Sequence, residues 1–212
     1  MQGRFITFEG VEGVGKSTQL KRVAGWLSGL GLEVVVTREP GGTRRAERLR
    51  DLLLERSAEP MPQACELLLM FAARATHLEN LVRPAIERGA WVLCDRFTDA
   101  TYAYQGGGRG IPTAQIDALV DIVHPGLWPH LTILLDAPVE TGLARAGARN
   151  GAQQPDRFEA ELHEFFERVR DCYLERARLE PRLFLVVDAT TTPERVETMI
   201  RHGLEALVAG SA

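Results

Sequence analysis

Gly10-Val11-Glu12-Gly13-Val14-Gly15-Lys16-Ser17 fits the pattern G-x-x-x-x-G-K-S, in which main chain and side chains together hold a triphosphate. The glycines let backbone N–H groups turn inward around an anion, and a helix that follows presents its positive end to the same phosphates. Lys16 then reaches the β- and γ-phosphates, and Ser17 offers an oxygen to Mg²⁺. A glycine-rich turn beside an ordinary surface lysine is the bland alternative. It is disfavoured because the apolar run Phe5 to Phe8 precedes the string and a helical stretch follows it. A second run, Trp91-Val92-Leu93-Cys94, ends in Asp95 and Arg96. P-loop proteins often place a carboxylate there, facing Mg²⁺ or its water. A turn residue at a strand end is the competing reading of Asp95, and Arg96 beside it favours the functional one.

Arginines and aromatics gather elsewhere in the chain: Arg38 with Glu39, Phe71 with Arg74, then Arg96, Tyr102 and Tyr104. Phe71 and Arg74 are three apart on a helical stretch, so they share a face and can present a flat ring and a planar donor to one base. The competing reading of that pair is a core ring with an arginine at its edge. No N-K-x-D string follows a late strand, since Leu131 to Leu135 runs into Asp136-Ala137-Pro138. That weakens a guanine-specific switch.

Five short apolar runs must position these groups: Phe5 to Phe8, Val34 to Val36, Trp91 to Cys94, Leu131 to Leu135 and Leu183 to Val187. Each precedes a helical stretch and lacks alternation, which predicts an α/β fold with a five-stranded parallel sheet flanked by helices and strands buried on both faces. Helices are expected at Lys16 to Leu30, Arg44 to Leu54, Gln63 to Arg88, Thr98 to Gln105, Thr113 to Val123, Val139 to Ala148, Arg157 to Arg178 and Pro193 to Val208. Gly31 and Gly89 are natural stops, Thr113 a natural N-cap, and Pro84 should kink or split the third helix. Arg38 to Thr43, Gly106 to Gly110 and Arg149 to Pro155 read as loops.

The chain has 212 residues and 45% hydrophobic composition, consistent with a single domain over residues 1–212. Its net charge of -4 argues against nucleic acid as a partner. No apolar run reaches the ~20 residues that span a bilayer, and no signal core follows the N-terminus, so a cytoplasmic protein without membrane partner is expected. Cys65, Cys94 and Cys172 are widely spaced and read as reduced core thiols; the five histidines show no metal spacing.

Several strings closely resemble those of thymidylate kinases: Phe8 to Thr18, Thr37-Arg38-Glu39-Pro40-Gly41-Gly42-Thr43, Leu68 to Arg74, Asp95-Arg96-Phe97, Ala103 to Gly110 and Asp156-Arg157-Phe158-Glu159. The resemblance runs through nearly the whole chain. It implies the P-loop nucleoside monophosphate kinase fold, phosphorylation of dTMP by ATP with Mg²⁺ as cofactor, and a homodimer. It further implies ATP on Gly10, Val11, Glu12, Gly13, Val14, Gly15, Lys16, Ser17, Thr18 and Arg145, and Mg²⁺ at Ser17 and Asp95. For dTMP it implies Phe71 stacked on thymine, Arg74 on O4, Thr101 at the base edge, Tyr104 against the 2′ carbon and Arg96 on the acceptor phosphate, with Glu12 facing the 3′-hydroxyl and Arg38 and Gln105 nearby. Some relatives carry a P-loop arginine where Gly13 stands here, so the transition-state charge is expected from a lid at about 145–158, from Arg149 first and Arg145 second. The catalytic set is then Lys16, Arg96, Arg149 and Glu12. A kinase for another nucleoside monophosphate, or a P-loop protein that binds nucleotide without transfer, are the remaining readings.

Overall fold

The computed structural model describes residues 2–150, 157–158 and 161–210, without the side chains of 149 and 150. All five apolar runs are strands: β1 (Arg4–Glu9), β2 (Val34–Arg38), β3 (Trp91–Asp95), β4 (Leu131–Asp136) and β5 (Phe184–Asp188). They pair in parallel in the order β2-β3-β1-β4-β5, with Thr7 of β1 between Cys94 of β3 and Thr132 of β4. The chain therefore leaves β1 at the point where neighbouring strands diverge. That switch point, at the carboxyl ends of the strands, is where open parallel sheets bind ligands.

Burial on both faces holds for β1, β3 and β4 but not for the edges, where Val36 of β2 and Val186 of β5 are 51% and 49% exposed. The helices cover the middle of the sheet and leave the outer strands half open.

The helices are α1 (Lys16–Gly29), α2 (Arg44–Leu54), α3 (Gln63–His77), α4 (Arg83–Glu87), α5 (Thr98–Thr101), α6 (Thr113–Val123), α7 (Val139–Asn150), α8 (His163–Leu179) and α9 (Pro193–Ala209). The expected long third helix is split by a π-helical turn, Leu78–Val82. Pro84 then sits in the first turn of α4, directly after the π-helical turn, where it offers no N–H to the carbonyls of the turn before it. Thr113 is the first helical residue, and Pro112 occupies the cap position expected of it. The helix expected from Arg157 starts only at His163, because Arg157 and Phe158 are drawn instead toward α3 and the cleft, as described below.

The glycine run does not form the loop expected of it. Residues Tyr102–Gly108 continue α5 as a π-helical segment, against which α8 packs so tightly that a Cβ on Gly107 would lie 2.7 Å from Cys172 Cβ and one on Gly108 2.4 Å from the Phe165 ring. Three polar ties then hold α8 across the carboxyl ends of the strands. Tyr173 donates to Glu9 at 2.7 Å, Arg170 forks onto Asp136 at 2.7 and 2.9 Å, and Arg176 meets Asp99 at 2.7 Å. All three cysteines are free, yet only Cys94 is a core thiol; Cys172 is half-buried and Cys65 exposed in the first turn of α3.

Candidate active site

The P-loop begins where β1 stops. Val11 and Val14 turn inward and are buried in the core, which leaves the main chain of the loop lining the cleft. Lys16, in the first turn of α1, is buried and folds back so that Nζ donates to the carbonyls of Gly10 and Val11, each at 2.8 Å. Burial, and next the charge of Arg96, push its pKa down to about 8. Ser17 and Thr18 stay exposed at the helix start. Ser17 Oγ donates to Asp95 Oδ2 at 3.2 Å, so the two residues expected at the metal present oxygens side by side. A pair of hard oxygen donors beside a phosphate loop fits Mg²⁺.

Beyond Asp95 the backbone reverses sharply, with Arg96 at φ 71°, a left-handed conformation that costs a non-glycine residue roughly 1 kcal/mol or more. The hydrogen bonds on either side hold it: Arg96 N donates to Phe8 O at 3.0 Å, and Phe97 N to Glu9 Oε1 at 2.7 Å. The turn aims the guanidinium across the cleft, where Nη2 donates to Glu12 Oε1 at 2.6 Å and to Tyr104 OH at 2.9 Å. Tyr104 OH in turn donates to Glu12 Oε2. Although burial opposes ionisation of Glu12, the charges of Arg96 and Lys16 hold its carboxyl below the usual range. Tyr104 is pushed well above its ordinary value, by burial first.

The far end of the cleft is built on Arg74. Its Nε donates to Glu39 Oε2 at 2.7 Å and its Nη2 to Phe97 O at 3.2 Å and Thr101 Oγ1 at 3.0 Å. Glu39 is itself braced by His77 Nδ1 at 2.8 Å, whose Nε2 lies 2.7 Å from Thr37 Oγ1. Arg74 Nη1 has no hydrogen-bond partner among the described residues.

Phe71 corrects the sequence reading. It is 2% exposed and packs with Leu67, Tyr102, Ile111, Ile116 and Val120, outside the wall of the cleft. The Arg74 guanidinium carbon lies 4.8 Å from its ring centroid, so Phe71 is a platform beneath the arginine. Met70 takes the place expected of it in the wall. The spacing explains the exchange: Met70 is four residues from Arg74 and stacks directly one turn below it, while Phe71, at three, is rotated to the other side.

These groups line one cavity of about 480 Å³ that runs from Ser17 and Thr18 through Glu12, Asp95 and Arg96 to Thr101, Tyr104, Gln105 and Arg74. Arg38 lies on its rim, half-exposed and bonded to Glu47 Oε2 at 2.7 Å. Arg145 reaches in from α7 while Nη1 donates to Ala189 O at 2.9 Å, in the loop after β5. The Arg149 side chain, Asp156 and Glu159 lie outside the described residues. Glu39, Pro40, Arg50, Leu54, Phe97, Ala100 and Phe158 also line the cavity; Glu39, Pro40, Phe97 and Phe158 stand within the strings that carry the family resemblance, whereas nothing in local spacing marks Arg50, Leu54 or Ala100.

A phosphate loop at the switch point of a parallel sheet, opening into a second arginine-lined recess one small molecule away, defines a P-loop kinase of small phosphorylated substrates. The family model for thymidylate kinase matches residues 8–200. The thymidylate kinase of Chromohalobacter salexigens is 55% identical over 211 residues, covering 99% of both chains, and that of Pseudomonas putida strain GB-1 is 54% identical over 99% of this chain and 97% of its own. The crystal structure of thymidylate kinase from Ehrlichia chaffeensis superposes with a TM-score of 0.77 at 32% identity, covering 96% of this chain and 99% of that one. The chain belongs to the thymidylate kinase family.

Proposed function

We propose that this cavity transfers the γ-phosphoryl group of ATP to dTMP, releasing dTDP and ADP, and that one domain with a lid at about 145–158 does so. The observation that carries the reading is the pairing of a phosphate loop with Arg74. Three of its donor contacts are fixed by protein acceptors and Nη1 has none among the described residues. A buried donor without a partner is costly, and a base carbonyl such as O4 of thymine satisfies it.

The acceptor is a phosphate that is already anionic, so the chemistry needs alignment and charge more than a base. Lys16 carries charge toward the donor phosphates. Arg96, held by Glu12 and Tyr104, is aimed to take the acceptor phosphate; once it does, the Glu12 carboxylate is free to meet the 3′-hydroxyl and Tyr104 stays against the sugar. Ser17 and Asp95 hold Mg²⁺, which when bound screens the phosphate charges. Thr101 and Gln105 border the base, with Met70 rather than Phe71 beneath it and Arg38 at the rim. Arg145 flanks the ATP side, and Arg149 supplies the charge that a P-loop arginine gives elsewhere. Its replacement by Ala lowers kcat far more than dTMP affinity, and unchanged turnover removes the assignment.

The protein is read as a cytoplasmic homodimer. Leu68 on α3 and Ile122 on α6, 57% and 75% exposed, support an apolar contact between copies, and a solution mass of one chain at assay concentrations excludes it. No helix among the described residues is long and apolar enough to cross a membrane.

The test of the reaction is ADP release with ATP and Mg²⁺ against dTMP, dUMP, ribo-TMP, AMP, GMP, CMP and UMP. Preference for dTMP is expected. Preference for another monophosphate keeps the kinase and discards the base contacts, and no transfer to any of them discards the kinase.

A further inference from the structure

Glu66 is 1% exposed in the first turn of α3, does not line the cavity, and has no part in the phosphoryl transfer described above. A carboxylate so deep is retained only where donors saturate it. Here they come from two separate parts of the chain. Gln105 Nε2 and Arg109 Nε approach Oε1 at 2.7 and 3.4 Å, and Arg157 Nη1 approaches Oε2 at 2.6 Å. Arg157 also donates from Nε to Leu53 O at 2.9 Å, in the last turn of α2. Two of these donors lead back to the cleft: Gln105 is in its wall, and Arg157 precedes Phe158, which is in its wall as well. The Phe158 ring lies 4.6 Å from the Arg157 guanidinium carbon and 5.8 Å from that of Arg109, and meets Tyr104 edge-on at 6.2 Å.

We propose that Glu66 is a positioning residue that fastens the returning arm of the lid to the acceptor half of the cleft, through Arg157 and Arg109, so that Phe158 is held against Tyr104 where dTMP binds. The inference rests on the dTMP reading above. Its physical basis is charge: the Glu66 carboxylate is the anion that Arg157 meets at 2.6 Å, while Arg109, at 3.4 Å from Glu66, is paired more closely with Glu161 at 2.6 Å. Removing the Glu66 charge therefore leaves the Arg157 guanidinium without its counter-charge. Arg157 then keeps only its bond to Leu53 O, and Phe158 is held less firmly in the wall of the acceptor site. Arg157 is accordingly engaged in holding the lid.

Steady-state kinetics of Glu66→Gln, Arg157→Gln and the double variant test this. Glutamine keeps the volume at position 66 and removes the charge. Each single variant is expected to raise KM for dTMP about tenfold and leave KM for ATP within about twofold, and the double variant to be no worse than the worse single one. A merely structural role predicts equal losses for both substrates. If Glu66→Gln does not fold, Arg157→Gln carries the test beside Arg157→Lys, which keeps a cation for Glu66 and is expected to recover most of the lost dTMP affinity; a lysine variant as poor as glutamine overturns the proposal. So does an unmoved dTMP KM in folded variants, or single effects that multiply in the double. In those cases the unaltered protein still turns over dTMP, whereas failure of the unaltered protein with dTMP overturns the functional reading and this inference together.

Discussion

Burial makes Lys16 titratable in a working range of pH. Its pKa is pushed down to about 8, by desolvation first and the neighbouring Arg96 second, so the ammonium is present below that pH and lost above it. Because kcat/KM reports the free enzyme, kcat/KM for ATP is expected to fall as pH rises through about 8. At saturating ATP the fall moves to higher pH, since the triphosphate favours the charged form. A profile of kcat/KM for ATP that stays flat to pH 9 rejects the depressed lysine. At the other end of the cleft, Phe71→Ala is expected to destabilise the fold by about 3–5 kcal/mol, as for a core phenylalanine, while Met70→Ala raises KM for dTMP several-fold with little loss of melting temperature. The reverse pattern, read from denaturation and kinetics, restores the ring to the base. Residue types at this scale were legible, since the P-loop, Asp95, Arg96 and Arg74 all face one cavity. The side of a helix that a residue faces was not, because spacings of three and four differ by a rotation that only packing resolves.

Between elements, the governing contact is backbone against backbone. The P-loop tip lies on the first turns of α7, where a Cβ added at Gly13 would be 1.8 Å from the Gly142 carbonyl oxygen and one at Gly142 would be 2.4 Å from that of Glu12. Gly13 therefore has no room for the arginine that some relatives carry there. The same contact joins the phosphate loop to the helix bearing Arg145. Helix propensity alone makes Gly142→Ala stabilising by about 1 kcal/mol, whereas this contact makes it push α7 off the loop. We expect a lower melting temperature and a loss of kcat of at least about tenfold, in line with the cost of small misplacements in catalytic geometry. A more stable, fully active Gly142→Ala shows that the helix can shift freely. Element type and order were legible because each strand and helix carries its own pattern. The π-helical turns and the late start of α8 were not, for they answer to distant partners such as Phe165 against Gly108 and Arg157 against Glu66.

Across the whole molecule, Glu9 ties the centre together: it ends β1, holds the Arg96 turn through Phe97 N and anchors α8 through Tyr173. The apolar pattern of β1 in the sequence shows a strand there, but not that its last side chain is fully buried, since that depends on α8, more than 150 residues away along the chain. Burial first, and Asp99 second, push the pKa of Glu9 up to about 8. An unfolded chain titrates a glutamate near ~4.3, so between roughly pH 4.5 and 8 the folded protein keeps a proton that the unfolded chain has released. The folded state then loses stability as pH rises through that window, by at most about 1.4 kcal/mol per pH unit. Glu9→Gln removes the titration and keeps the shape, so other groups cancel when the two proteins are compared. Denaturation in urea at pH 5, 6.5 and 8 is expected to show the unaltered protein losing ground to the variant at each step. A difference independent of pH means that Glu9 is ionised throughout and that Tyr173, Arg96 and the Phe97 amide outweigh its burial.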